Sequence, residues 1–67
     1  MSVAKVTEIS AASPNSFDDA MKVGIARASQ TLSGIKSAWV NEMNVEVRDG
    51  EVTAYRVNMK VTFILND

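Results

Sequence analysis

The residues best suited to hold a ligand lie in the second half of the chain. Trp39 is the only tryptophan, and it stands in "GIKSAWVNE" (34–42) among small and polar neighbours. An indole offers a broad, flat, polarisable surface with one N–H donor. Exposed on a sheet, it calls for a partner chain or a ligand to cover it. Ser37 lies two residues earlier, and residues two apart on a strand share a face. Glu42, just downstream, supplies acceptor oxygens. Arg56 brings a fork of N–H donors and no acceptor, which suits a carbonyl or a phosphate oxygen.

Other chemistries lack their residues. The chain has no His and no Cys, so disulfides and Cys/His zinc sites are excluded. Its carboxylates are scattered and there is no Gly-rich phosphate loop, so no catalytic constellation forms and an enzyme is not expected. Asp18 and Asp19 fit a helix start better than a metal; a calcium or other cation site lined by outer-face carboxylates is a third reading behind the two ligand readings below, although nothing has the spacing of a calcium loop. Seven basic and eight acidic residues give a net charge of −1. They form no basic cluster, which argues against nucleic acid. The N-terminus alternates rather than running apolar, so neither a signal peptide nor a membrane span is expected, and a cytoplasmic location is the default.

The elements that must position these side chains follow from periodicity. At 67 residues the chain is a single domain, 1–67, that buries only about 60% of its unfolded surface. A core of this size supplies roughly 3–5 kcal/mol. With disulfides and zinc excluded, self-association is the remaining way to add stability, and a hydrophobic fraction of 46% points the same way. "SVAKVTEIS" (2–10) reads as a half-buried strand. Pro14 and Asn15 mark a turn, Ser16 is a helix N-cap, and Asp19 completes a capping-box pattern. From Phe17 the spacing is helical: Phe17, Met21, Gly24/Ile25, Ala28 and Leu32 form one stripe, with Gly34 as the terminating residue. The small residues Ala20, Gly24 and Ala28 imply a sheet that approaches the helix closely.

Alternation is strict from Tyr55 to Leu65, and "RDGE" (48–51) carries a hairpin turn. The second strand changes phase: Ala38 and Val40 are apolar at even positions, Met43, Val45 and Val47 at odd ones. One extra residue near Asn41–Glu42, a β-bulge, keeps both sets on the core side. Trp39 and Ser37 then face away from the helix. Lys5, Glu8, Asn58 and Lys60 are expected on that outer surface, with Arg56 pairing with Glu42 or Glu46. Tyr55, Phe63, Met21, Met43 and Met59 read as packing residues.

Along essentially its whole length the sequence resembles the dodecins, small flavin-binding proteins that assemble as hollow dodecamers. The resemblance runs through "KVTEISAASPNSFDDA", "GIARASQTLSGI" and "DGEVTAYRVNMKVTFIL". It implies an α+β fold, a β-α-β-β unit with a three-stranded antiparallel sheet wrapped around one helix, assembling into a hollow homo-oligomer. It also implies a flavin, riboflavin or FMN, stored at subunit interfaces of a homododecamer. A tryptophan stacks on the flavin ring in that family, and a glutamine bonds the ring's polar edge. Here the family's stacking position falls on Ser37, and Trp39 lies about 6–7 Å further along the strand. Arg56 occupies the glutamine position, and Glu42 matches a position that can contact a ribityl chain. The alternative is a cage without flavin, either structural or holding another ligand such as a coenzyme A-type nucleotide, with Trp39 as an interface residue.

Overall fold

The computed structural model describes residues 3–65. The chain runs β1 (Ala4–Ser13), α1 (Phe17–Ala28), β2 (Ile35–Arg48) and β3 (Glu51–Ile64). It forms one antiparallel sheet in the order β1-β3-β2, with a single helix on one face. This is the expected α+β, β-α-β-β unit. Asp49 and Gly50 take φ of 52° and 79°. Positive φ at both central turn positions gives a two-residue turn whose twist matches the strands it joins.

The core follows the alternation of β3. Val57, Met59 and Val61 are at most 2% exposed; Val57 and Met59 cluster with Ala20, and Phe17, Met21, Ile25, Ile9 and Ala11 on the helix and β1 pack against them. Phe17 closes one end edge-to-face on Tyr55, with ring centroids 5.1 Å apart. Gly24 explains the small-residue stripe. A Cβ there would lie 2.8 Å from Ala11 Cβ and 3.0 Å from Met59 Cε. The helix accepts a glycine, at about 1 kcal/mol of lost propensity, because the close approach to β1 leaves no room for a methyl group.

The helix start departs from the expected capping box. Asp19 N–H donates to Ser16 Oγ at 3.0 Å, as expected. The Asp19 carboxylate instead accepts from the hydroxyl of buried Ser13, and from Asn15 Nδ2 at 3.4 Å. Ser13 Oγ in turn accepts the Asn15 N–H at 3.0 Å, so the turn around Pro14 is tied to the helix it precedes.

Three boundaries differ from the sequence reading. The first strand continues to Ser13, because Ala11, Ala12 and Ser13 still pair with Val57, Arg56 and Tyr55; position 2 lies outside the described residues. The helix stops at Ala28 with Ser29 as C-cap. Thr31 and Leu32 N–H then donate back to Ala28 O at 3.1 and 2.8 Å, a tightened end that keeps Leu32 half-buried without further helix. Gly34 has the positive φ expected of it, 78°, but at the entrance to β2 rather than at the helix end.

The bulge stands where the phase change put it. Val40 pairs with Met59 and Glu42 with Asn58, leaving Asn41 as the extra residue. Two further irregularities flank it. Lys36 is skipped between Ile35 and Ser37, and Thr53 is the extra residue opposite Glu46–Val47. Thr53 Oγ1 donates to Glu46 O at 3.2 Å there. No helix among the described residues is long and apolar enough to cross a membrane.

Candidate functional site

The site residues lie on the sheet face opposite the helix. Cross-strand partners point to the same side, so this face can be read rung by rung from the register. Val6, Thr62 and Ser37 form one rung, followed by Glu8, Lys60 and Trp39; then Ser10, Asn58 and Glu42; then Ala12, Arg56 and Asn44. Lys5 is not part of it. It pairs with Phe63 and shares the helix-side face with the core row, because the register of β1 brings odd positions inward. Glu8, Asn58 and Lys60 lie on the outer face as expected.

Trp39 is 48% exposed. The one close aromatic pair among the described residues, Phe17–Tyr55, lies on the other side of the sheet, so no ring of this chain stacks on the indole. Ser37 and Glu42 are exposed in the same row. The bulge lets Trp39 and Glu42 share a face despite their odd spacing, and Asn41 Nδ2 donates across to Asn58 Oδ1 at 3.2 Å.

Arg56 is held from both flanks. Its Nε donates to Glu46 Oε2 at 3.1 Å and its Nη1 to Ser10 Oγ at 2.9 Å. The partner is Glu46, one of the two carboxylates expected, and not Glu42. The guanidinium thus lies across all three strands, and with two of its five N–H groups used, three remain to donate. Arg56 is four residues from Lys60, the partner of Trp39, or about 13 Å along the strand. The structure therefore brings Ser37, Trp39 and Glu42 into one row on β2, with Arg56 at its far end. Sequence reasoning did not connect Ser10 to Arg56. Its outward phase in β1 was the available signal, but the pairing of β1 with β3 was needed to use it.

Chemically this face can stack and hydrogen-bond. Among the described residues no group of three or more His, Cys, Asp or Glu is placed to hold a metal ion.

Comparison with known proteins agrees with this architecture. The family model "Dodecin" matches residues 3–66. The chain belongs to the dodecin family. Dodecin from Streptomyces davaonensis is 38% identical, with a TM-score of 0.93 over 98% of this chain and 97% of that one. Dodecin from Streptomyces coelicolor is 32% identical, with a TM-score of 0.92 over 98% of this chain and 94% of that one. The calcium-chelating immunodominant antigen of Mycobacterium tuberculosis, described as a calcium dodecin with a novel calcium-binding site, is 31% identical. Its TM-score is 0.82 over 96% of this chain and 91% of that one. None of the curated proteins matches the chain. At the family level, dodecins are small flavin-binding homo-oligomers rather than enzymes, and the calcium-binding neighbour makes the ligand variable within the fold.

Proposed function

We propose that this dodecin is a cytoplasmic storage protein that assembles as a homododecamer and holds a flavin, riboflavin or FMN, against Trp39 on the outer sheet face. The observation that supports it most directly is the uncovered indole, 48% exposed on the face away from the helix with no ring of its own chain against it. Ser37 beside it adds no bulk, so a flat ring system has room to lie over Trp39. The flavin itself is carried over from the family.

The order of residues along the row suits the order of groups in FMN. With the ring on Trp39, Glu42 lies one rung on, about 6–7 Å away, where it accepts from ribityl hydroxyls. Arg56 follows at the far end, with N–H groups to spare for a phosphate. Riboflavin makes the first two contacts and FMN all three.

The test is a titration of riboflavin and FMN with the purified chain, followed by flavin fluorescence, for the wild type and for Trp39→Ala. Stacking on indole quenches the excited flavin. The expected result is saturable quenching with FMN the tighter ligand, and its loss in Trp39→Ala with the oligomer intact by light scattering. If Trp39→Ala dissociates the oligomer instead, Trp39 is an interface anchor. Absence of quenching in the intact wild type would turn the search to a cage for another phosphate-bearing ligand, such as a coenzyme A-type nucleotide.

A further inference from the structure

The rung that carries Trp39 also holds two charged side chains that stacking on the indole does not use. Trp39 on β2 pairs with Lys60 on β3, and Lys60 pairs with Glu8 on β1. Neighbouring strands lie about 4.8 Å apart, so indole, ammonium and carboxylate follow one another across the sheet, one strand spacing at a time. Lys60 is half-buried on the central strand and Glu8 is exposed. Opposite charges directly across a ladder attract each other, yet the one ion pair among the described residues is Arg56–Glu46. The side-chain hydrogen bonds of this face run between Asn41 and Asn58, and from Arg56 to Glu46 and Ser10. The neighbouring rungs are thus tied across the strands, while the rung of Trp39 keeps a donor and an acceptor uncommitted.

The polar end of a flavin ring is an imide, a carbonyl, an N–H and a second carbonyl in succession. A lysine ammonium only donates and an ionised carboxylate only accepts, so the two side by side complement an adjacent carbonyl and imide N–H. Arg56 is badly placed for this edge. It lies about 13 Å along the strand from Lys60, and its bonds to Glu46 and Ser10 hold it there. The ribityl chain leaves a flavin at right angles to the long axis of the ring. With that chain directed along β2 toward Glu42, the long axis runs across the strands, and the imide end extends over β3 toward β1. The reversed ring would put the imide beyond β2, which is an edge of the sheet.

We infer that Lys60 and Glu8 read the imide edge of the ring stacked on Trp39, Lys60 donating to a ring carbonyl and Glu8 accepting the imide N–H. This deepens the flavin reading proposed above and rests on it. The three contacts divide the recognition. Trp39 takes a flat ring of any kind, Lys60 and Glu8 select a ring that ends in an imide, and Arg56 bears only on the phosphate. Riboflavin and FMN therefore share the Lys60–Glu8 contact equally.

The probes are riboflavin and 3-methylriboflavin, in which a methyl group replaces the imide hydrogen. Both are titrated by flavin fluorescence, with circular dichroism and light scattering to check the fold and assembly of each variant. The wild type is expected to bind riboflavin about tenfold more tightly than the methylated ring, as the loss of a hydrogen bond to a charged group implies. Glu8→Ala should level the two ligands, and Glu8→Gln, whose amide oxygen still accepts, should restore the preference. Lys60→Met keeps the stem without the donors and should weaken both ligands by a similar factor, which Lys60→Arg should largely recover. If Lys60→Met does not assemble, the exposed Glu8 series decides alone. Equal binding of the two ligands by the wild type, or a preference that survives Glu8→Ala, overturns the imide contact and leaves the stacked flavin in place. Absence of quenching by either ligand in the intact wild type overturns the flavin reading, and this inference with it.

Discussion

β2 and β3 are adjacent strands of equal length, fourteen residues each, and both present apolar side chains to the same face of the sheet. Their fates differ. Val57, Met59 and Val61 on β3 are at most 2% exposed, while their β2 partners Met43 and Val40 are 50% and 38% exposed. Residue type does not separate the two rows; coverage does. A twelve-residue helix spans β1 and β3, and its interface with them is tight enough to exclude even a methyl group at Gly24. β2 has the pattern of a buried strand with nothing of its own chain over it. Burial is roughly proportional to apolar area removed from water, so β3 is already stabilised within the single chain. β2 acquires the same stabilisation only when something else covers it.

The largest expected effect comes from making one substitution on both strands. Met59→Ala empties a fully enclosed site and should cost about 2–5 kcal/mol, comparable to the roughly 3–5 kcal/mol a core this small supplies. Met43→Ala should cost the dissociated chain no more than about 0.5 kcal/mol. Urea unfolding over a range of protein concentrations distinguishes them. The Met59→Ala deficit should be the same at every concentration, whereas the Met43→Ala deficit should grow as the wild type assembles. Equal, concentration-independent losses would mean that β2 is as buried within one chain as β3.

An intermediate effect is expected at Gly24, where the helix meets β1. Ala gains up to about 1 kcal/mol of helix propensity. Its methyl group would lie 2.8 Å from Ala11 Cβ, and overpacking of this kind costs about 1–3 kcal/mol. Gly24→Ala should therefore lower the melting temperature, and adding Ala11→Gly should recover part of the loss by removing the nearer of the two crowding atoms, Met59 Cε at 3.0 Å being the other. A stabilised Gly24→Ala would mean that α1 stands further from β1, and the contrast between the covered and the bare strand would weaken accordingly.

How far these features could be read from the sequence depended on how strongly each residue broke a period. The bulge at Asn41 was legible because Val40 and Met43, both strongly apolar, fall on opposite phases. The irregularity at Lys36 depends on Ile35 and Ala38, and alanine is too weak a marker to fix a phase. Thr53 sits between Val52 and Tyr55, where a single valine cannot separate a bulge from a turn. The helix was read too long because Leu32 continues the 3.6 spacing, and in the fold it still reaches the core side through a turn. The outward face of Ser37 and Trp39 followed once the bulge was placed, and Glu42 joins them because Asn41, not Glu42, is the extra residue. The Arg56–Ser10 contact did not follow, because it spans 46 positions and depends on which strand takes the centre of the sheet. The bare face of β2 was hidden for a related reason. Alternation identifies an inward row, but it does not say how many strands one helix can cover.

The smallest expected effect is at the tie between the two strands on their outer face. Arg56 on β3 donates to Glu46 on β2 at 3.1 Å, with side chains 41% and 50% exposed. Exposed pairs of this kind contribute about 0.2–1 kcal/mol, and Gln keeps an acceptor while losing the charge. Glu46→Gln should therefore cost a few tenths of a kcal/mol at most. The difference from wild type should shrink in 1 M salt, where the screening length falls to about 3 Å. The same substitution removes the anion that competes with a phosphate for Arg56. FMN should then bind more tightly relative to riboflavin, while riboflavin affinity stays unchanged. If the stability difference persists in high salt, the side chain acts by packing rather than by charge. If riboflavin and FMN shift together, Arg56 is not the phosphate contact, and its place on β3 is explained by the tie to Glu46 and Ser10 alone.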